Sequence, residues 1–123
     1  MKFDELSNKI IGCAIEVHRE LGPGLLESTY EQCLAYELNQ AKIPFKLQVE
    51  LPVDYKQIRL DCGYRIDLLA ADRLIVELKS VDQLLANHEA QVLTYMKLAG
   101  IKVGLLINFN VAVLKNGVRR FVI

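Results

Sequence analysis

The sequence predicts a mixed α/β fold in which helices pack against a mixed β-sheet. Through the first 41 residues, apolar side chains recur every three or four positions, which is typical of helices. From Phe45 onward the repeat changes to two, as in strands with one buried face. Helical spacing returns over residues 84–99, ahead of a nearly continuous apolar run. The length of 123 residues suits one domain, which we assign to residues 1–123.

Two helices are predicted at the start of the chain. The first covers residues 5–21, with Asp4 as its N-cap. Gly22-Pro23-Gly24 interrupts the pattern, because glycine and proline together end helices, and the second helix follows over residues 25–41. The apolar stripes of the two helices are Leu6, Ile10, Ala14, Val17 and Leu21 in the first, and Leu26, Tyr30, Cys33, Leu34 and Leu38 in the second.

The middle of the chain predicts a series of strands, interrupted by a third helix over residues 84–99. Pro52 marks an edge strand or a break after the first strand. The last strand is apolar on both faces, so it should be covered on both sides and run parallel to the strand before the third helix, through a right-handed crossover. The predicted strands are residues 45–51, 58–60, 64–70, 74–81 and 103–109.

A C-terminal β-hairpin is predicted after these elements. Asn116-Gly117 lies between the apolar segments Val111–Leu114 and Val118–Ile123. Asn-Gly is the preferred pair for a two-residue hairpin turn. The fold is therefore expected to end in an antiparallel pair of strands.

The composition is that of a well-packed globular protein and narrows the function classes. Hydrophobic residues make up 52% and charged residues 24%, and no apolar run approaches the roughly 18 residues of a membrane span. The acidic N-terminus lacks the apolar stretch of a signal peptide, so we expect a cytoplasmic protein without membrane contact. Fifteen basic residues balance fifteen acidic ones, so nucleic acid would be bound by local positive charge. Three scattered cysteines, Cys13, Cys33 and Cys62, favour buried free thiols over disulfides or a zinc site.

Asp67 and Glu77 carry the main functional signal. If the turn between their strands centres on Asp72, the two residues are cross-strand partners with β carbons roughly 4.5 to 5.5 Å apart. Carboxylates this close repel each other when half-buried, and a divalent cation such as Mg²⁺ or Mn²⁺ removes the conflict. Lys79 shares the strand face of Glu77, close enough to hold an attacking water or to stabilise a phosphate.

Other interpretations of these patterns stay open at this point. An acid-x-lysine triplet is common on solvated strand faces, although Glu77 and Lys79 interrupt a run suited to burial. Glu27 borders the inward stripe of the second helix, where an unpaired acid is costly, but a first-turn glutamate also suits the helix dipole. Gln91 and Tyr95 share one face of the third helix, and a core tyrosine with a boundary glutamine would explain them as well.

A longer match adds to these patterns. Gly24-Leu-Leu-Glu27-Ser-Thr-Tyr30 is a G-x-x-E-x-x-Y string, and the chain resembles the GxxExxY family, which is assigned to the PD-(D/E)xK nuclease superfamily. The chain departs from the superfamily pattern at Ile66, which stands where proline often precedes the first acid. The resemblance covers nearly the whole chain, through residues 15–24, Asp67, residues 76–79, His88-Glu-Ala-Gln91 with Tyr95, and residues 104–110.

The resemblance implies a restriction-endonuclease-like central sheet with the acids and the lysine at its centre. In that pattern Asp67 and Glu77 bind the metal, and the backbone carbonyl of Leu78 is a further ligand. Lys79 assists the nucleophilic water. Glu27 matches the helical acid that many members place near the metal.

Five further residues are expected to support the site or to contact nucleic acid. By resemblance, Gln91 and Tyr95 match the Q-x-x-x-Y helix of exonuclease-like members. Tyr30 is the tyrosine of the family string, and His18 is a candidate outer ligand. Arg65, which shares the strand face of Asp67, is a candidate to guide the nucleic-acid strand.

The expected function is therefore Mg²⁺- or Mn²⁺-dependent hydrolysis of a phosphodiester bond in nucleic acid, in DNA rather than RNA. The alternative is a catalytically silent nuclease-fold module that binds nucleic acid or a partner protein. Small members of the superfamily often need a homodimer or a partner protein to grip a duplex. The C-terminal hairpin would offer an edge for such pairing.

Overall fold

The computed structural model describes residues 3–123. In this range no helix combines the length and the apolar character that a membrane crossing needs. In chain order the elements are α1 (Glu5–Leu21), α2 (Glu27–Gln40), β1 (Phe45–Glu50), β2 (Val53–Tyr55), β3 (Ile58–Leu60), β4 (Arg65–Ala70), β5 (Leu74–Lys79), α3 (Ala86–Ala99), β6 (Val103–Asn108), a 3-10 turn (Leu114–Gly117) and β7 (Val118–Val122).

A mixed five-stranded sheet forms the centre of the fold. Its strand order is β1-β4-β5-β6-β7, and β2 and β3 form a separate two-stranded sheet. β5 and β6 run parallel, while the other neighbours in the large sheet run antiparallel. The parallel pairing predicted across the third helix is therefore confirmed.

Helices cover both faces of the large sheet. Ile10 of α1 and Leu34 of α2 pack with Val76 in one buried cluster. On the opposite face, Met96 of α3 packs with Ile75 in a second cluster. β5 lies between the two clusters and is buried along nearly its whole length, which is why its apolar residues do not alternate with polar ones.

Gly104 in β6 allows α3 to lie close to the sheet. A β carbon at this position would lie 2.7 Å from Met96 Sδ and 2.9 Å from Val92 Cγ1, closer than such contacts occur in proteins. Since protein interiors are close-packed, a larger residue would push α3 away from the sheet.

β5 ends at Lys79, two residues before the predicted end, because an asparagine side chain takes over the bonding of the next segment. Asn108 Oδ1 accepts from the Val81 N–H at 3.1 Å, and Asn108 Nδ2 donates to the Val81 carbonyl at 2.9 Å. Asn108 is only 2% exposed, so its buried amide finds partners for both of its groups. The chain thus leaves β5 while staying tied to the end of β6.

The C-terminal hairpin forms, but its first strand was predicted wrongly. β7 pairs antiparallel with β6, whereas in the predicted strand Val111–Leu114 the first three residues form bends and Leu114 begins the 3-10 turn. Gly117 is needed there for close packing, because a β carbon would overlap the Asn108 carbonyl. This contact between distant segments overrides the local preference of Asn116-Gly117 for a hairpin turn.

The three cysteines are free, and their burial differs from the prediction. Cys13 and Cys33 are half-buried, whereas Cys62 is exposed. Cys62 follows the exposed strand β3, outside the two buried clusters. Burial of this thiol was therefore wrongly predicted.

α1 starts at the predicted N-cap and is joined there to β7. Asp4 accepts from the Ser7 N–H at 3.1 Å and from the Ser7 hydroxyl at 2.5 Å. Arg120 of β7 pairs with the same carboxylate at 2.8 Å. The Ser7 hydroxyl first, and then the Ser7 N–H and Arg120, lower the pKa of Asp4 to about 2, against the opposing effect of burial.

We expect Asp4→Ala to lower the free energy of unfolding by about 1 kcal/mol at neutral pH, because Ser7 and Arg120 lose their acceptor. Since the pKa of Asp4 is lowered in the folded state, this contribution is complete above pH 3.8 and is lost as the pH falls toward about 2. Urea unfolding at neutral pH and near pH 2.5 measures the difference, which should shrink in acid. Glu5→Ala, at a side chain that is 83% exposed, is the control and should change stability by less than about 0.5 kcal/mol. A difference that is equal at both pH values would contradict the prediction.

Candidate active site at the end of the β4–β5 pairing

The β4–β5 pair has the register that the sequence predicted. Its paired residues are Leu68 with Val76, Leu69 with Ile75, and Ala70 with Leu74. Ala71 and Asp72 take φ values of +52° and +56°, as in tight hairpin turns. Continuing the register by one step places Asp67 opposite Glu77.

At Asp67 and Glu77 the two carboxylates take the place of the backbone ladder. The Asp67 N–H donates to Glu77 Oε1 at 3.0 Å, and the Leu78 N–H donates to Asp67 Oδ2 at 2.9 Å. Each acid is thus held by the backbone of the opposite strand. The acids therefore lie where β4 and β5 stop pairing in the regular way.

Glu77 is a deeply buried acid. It is only 3% exposed, and burial together with the negative charge of Asp67 raises the pKa of its carboxyl to about 9, which the Lys79 ammonium partly opposes. At neutral pH and without a cation, Glu77 therefore carries a proton beside Asp67. A bound cation would favour the ionised form of both acids.

The donor atoms of the pair fit a hard divalent cation, because Mg²⁺ and Mn²⁺ prefer oxygen ligands. The Leu78 side chain is 1% exposed and belongs to the core, so only the backbone of this residue is available to a site. Among residues 3–123, no three histidine, cysteine, aspartate or glutamate side chains converge closely enough to hold a metal ion. A cation at Asp67 and Glu77 would therefore take its other ligands from backbone carbonyls and water.

Helix α2 carries two acids one turn apart, the predicted Glu27 and the more deeply buried Glu31. Glu27 is the first residue of α2 and is exposed, and within residues 3–123 neither Glu27 nor Glu31 completes a metal-binding cluster with the two acids. Glu31 is 9% exposed, and burial, followed by the charge of Asp67, raises its pKa. Sequence reasoning passed over Glu31, although it stands three residues before Leu34 and so falls within the buried stripe of the helix.

Gln91 and Tyr95 approach the acids from the α3 side of the sheet. The Gln91 amide donates to the Tyr95 hydroxyl at 3.1 Å. Tyr95 is 5% exposed, and its pKa is raised by burial first and then by the charges of Glu77 and Asp67. The exposed Tyr64 ring lies 6.0 Å from the Tyr95 ring and extends this aromatic wall to the surface.

Lys79 and Arg65 are the predicted cations of the site. Lys79 is half-buried at the end of β5, two residues after Glu77 and on the same strand face. Arg65 begins β4, where it pairs with Glu50 at 3.4 Å and keeps 36% of its side chain exposed. Both positions leave the positive charge within reach of solvent.

Tyr30 and His18 hold loops in place. Tyr30 is fully buried, and its hydroxyl donates to the Gly22 carbonyl at 2.6 Å and accepts from the Leu25 N–H at 3.1 Å. His18 Nε2 lies 2.7 Å from the Val111 carbonyl, which ties α1 to the loop between β6 and β7. These contacts fix the α1–α2 connection, and full burial keeps the Tyr30 side chain from contacting nucleic acid.

Comparison with known proteins gives one family match. The family model for the PD-(D/E)XK nuclease superfamily matches residues 4–121. Nucleases of this superfamily generally use divalent metals, and the five-stranded mixed sheet flanked by helices agrees with their restriction-endonuclease-like fold. No curated protein and no solved structure matches the chain significantly.

We expect Glu77→Gln to stabilise the metal-free protein at alkaline pH. Because the pKa of Glu77 is raised in the folded state, the contribution of Glu77 to stability is complete below pH 4.5 and is lost as the pH rises toward about 9. The variant cannot ionise there, so near pH 9 its free energy of unfolding should exceed that of the wild type by on the order of 2 kcal/mol or more. Urea unfolding with a chelator, from about pH 5 to about pH 9, measures both profiles. The exposed control Glu20→Gln should follow the wild type, and parallel profiles for Glu77→Gln and wild type would refute the raised pKa.

Proposed function

Because the chain belongs to the PD-(D/E)XK nuclease superfamily, we propose that it hydrolyses a phosphodiester bond in DNA with the help of a divalent metal. The observation that carries this proposal is the pair Asp67 and Glu77, each bonded to the backbone of the opposite strand. Lys79 stands next to them on β5. Within the superfamily we assign the chain to the GxxExxY group, which the string from Gly24 to Tyr30 supports.

In this proposal Asp67 and Glu77 hold the cation, Mg²⁺ or Mn²⁺, with the Leu78 carbonyl as a further ligand. A divalent cation supplies, when bound, the positive charge that favours a nucleophilic water and offsets the charge of the phosphate. We assign the supporting helical carboxylate to Glu31 in place of Glu27, because Glu31 is buried and Glu27 is exposed. Burial, and then the negative charge of Asp67, also raise the pKa of Glu31.

Lys79 acts on the reacting groups. Its ammonium orients the water and stabilises the negative charge that develops on the phosphoryl oxygens. The water oxygen bonds to phosphorus and gives up a proton, while the bond from phosphorus to the leaving oxygen breaks and that oxygen takes up a proton. Gln91 and Tyr95 form the wall of the site on the α3 side, and Arg65 guides the nucleic-acid strand.

A second candidate function is a catalytically silent module that binds nucleic acid or a partner protein. The observation that favours it is that no third ligand side chain joins the acid pair within the described residues 3–123. For either function we propose β7, an edge strand of the large sheet, as the surface through which a homodimer or a partner protein would assemble. The cytoplasmic location expected from the sequence stays a prediction.

Isothermal titration with Mn²⁺ should show binding by the wild type and a loss of at least about tenfold in affinity for Asp67→Ala, because one of two paired carboxylates is removed. Glu31→Ala should weaken binding more than Glu27→Ala does. The exposed variant Glu20→Ala serves as the control and should bind like the wild type. Unchanged affinity in Asp67→Ala would remove the proposed metal site.

A nucleic-acid cleavage assay distinguishes the two candidate functions. With Mg²⁺ or Mn²⁺, we expect the wild type to cut DNA when linear, circular and single-stranded DNA and RNA are tested in parallel. Lys79→Ala should lose about 100-fold or more in rate while it keeps its Mn²⁺ affinity, because Lys79 stabilises charge that develops only during the reaction. A Lys79→Ala variant that cuts as fast as the wild type would point to a contaminant or to another site. Binding of DNA and Mn²⁺ without any cutting would favour the silent module.

A further inference from the structure

β1 and β4 both change faces at one step of their pairing, at Gln48 and Asp67. In a regular strand, residues two positions apart share a face. Here the residues on the two sides of this step pack in different clusters. Leu47 of β1 and Leu68 of β4 pack in the cluster beneath α1 and α2. Val49 of β1 and Ile66 of β4 pack in the cluster beneath α3.

The backbone of Gln48 accounts for the change of face on β1. Its φ is +50°, in the left-handed region, although it is a residue with a β carbon in the middle of a strand. The residues before and after it pair in one register with β4, which places Gln48 opposite Asp67. Strained residues of this kind persist where the surrounding contacts fix them.

The contact that fixes Gln48 reaches α2. Gln48 Nε2 donates to Glu31 Oε1 at 2.6 Å. Glu31 is 9% exposed, and a buried carboxylate is costly unless it is hydrogen-bonded. Gln48 therefore lies opposite Asp67 in the β1–β4 pair and hydrogen-bonds Glu31 of α2.

We propose that Gln48 is a positioning residue that holds the Glu31 carboxylate against Asp67 and thereby shapes the metal site. The metal part of this role rests on the proposed function. The Gln48 amide acts only through Glu31, so its effect should disappear when Glu31 is removed. This dependence distinguishes a positioning role from a general contribution to the stability of β1.

Gln48→Gly is the variant that isolates the amide. Glycine adopts a φ of +50° without strain, so the variant removes the side chain and leaves the backbone conformation accessible. Lys56→Gly is the matched control, because Lys56 is exposed and has a φ of +57° in the turn between β2 and β3. Both variants are combined with Glu31→Ala, or with Glu31→Met, which retains more volume, if the alanine variant does not fold.

Titration with Mn²⁺ gives the first measurement. We expect Gln48→Gly to weaken Mn²⁺ affinity by about tenfold in the wild-type background and by less than about twofold in the Glu31→Ala background. Lys56→Gly should leave the affinity unchanged in both. Equal losses in the two backgrounds, or no loss in the wild type, would overturn the proposal.

Urea unfolding of the wild type, Gln48→Gly, Glu31→Ala and the double variant, with a chelator, gives the second measurement, which does not involve the metal. Here the effects of Gln48→Gly and Glu31→Ala should be non-additive, because both remove one contact. Additive effects would overturn the proposal whatever the titration shows. A wild type that binds no Mn²⁺ would instead overturn the proposed function together with the metal role of Gln48, and non-additive unfolding would then show that the contact itself exists.

Discussion

Asp67 and Glu77 exchange hydrogen bonds with each other's strands at the point where the β4–β5 ladder gives way to side chains. The Asp67 and Leu78 N–H groups, which a regular ladder would satisfy with carbonyls, are bound here by the carboxyl groups of the two acids. Because a buried donor without a partner is costly, neither acid can turn away without a loss of stability. The closeness of the two acids is therefore part of the sheet itself, and so is the raised pKa of Glu77.

The surroundings of β5 allow an acid pair in the middle of the sheet. β5 lies between two apolar clusters, with α3 drawn close over Gly104. Beyond Lys79, the buried amide of Asn108 binds Val81 and closes the end of the strand. The pair thus sits on a rigid element rather than on a loop, which is the arrangement that precise positioning of catalytic groups requires. Two acids held this close cannot both ionise easily, and a bound cation removes the repulsion between them. This property suits a superfamily whose nucleases generally use divalent metals.

Groups from both helical layers reach the same pair. On the α2 side, burial and then the charge of Asp67 raise the pKa of Glu31. On the α3 side, burial and then the charges of Glu77 and Asp67 raise the pKa of Tyr95. In a sheet of regular strands a given residue would face only one of these layers. The change of face at Gln48 and Asp67 gives a physical reason why the site draws on both.

Local physics within the sequence determined the three helices and most of the strands, the turn centred on Asp72, the opposition of Asp67 and Glu77, and the parallel pairing of β5 with β6. These features depend on helix and strand periods and on turn length, which neighbouring residues encode. The tertiary structure alone decided that Glu31 is buried and bonded to Gln48 while Glu27 is exposed, that β1 changes faces at Gln48, and where the last hairpin forms. Each of those outcomes depends on contacts between distant segments, such as Gln48 with Glu31 across 17 residues or Asn108 with Val81 across 27. Periodicity relates residues only within one element, so it cannot specify how a helix is rotated against a neighbouring strand.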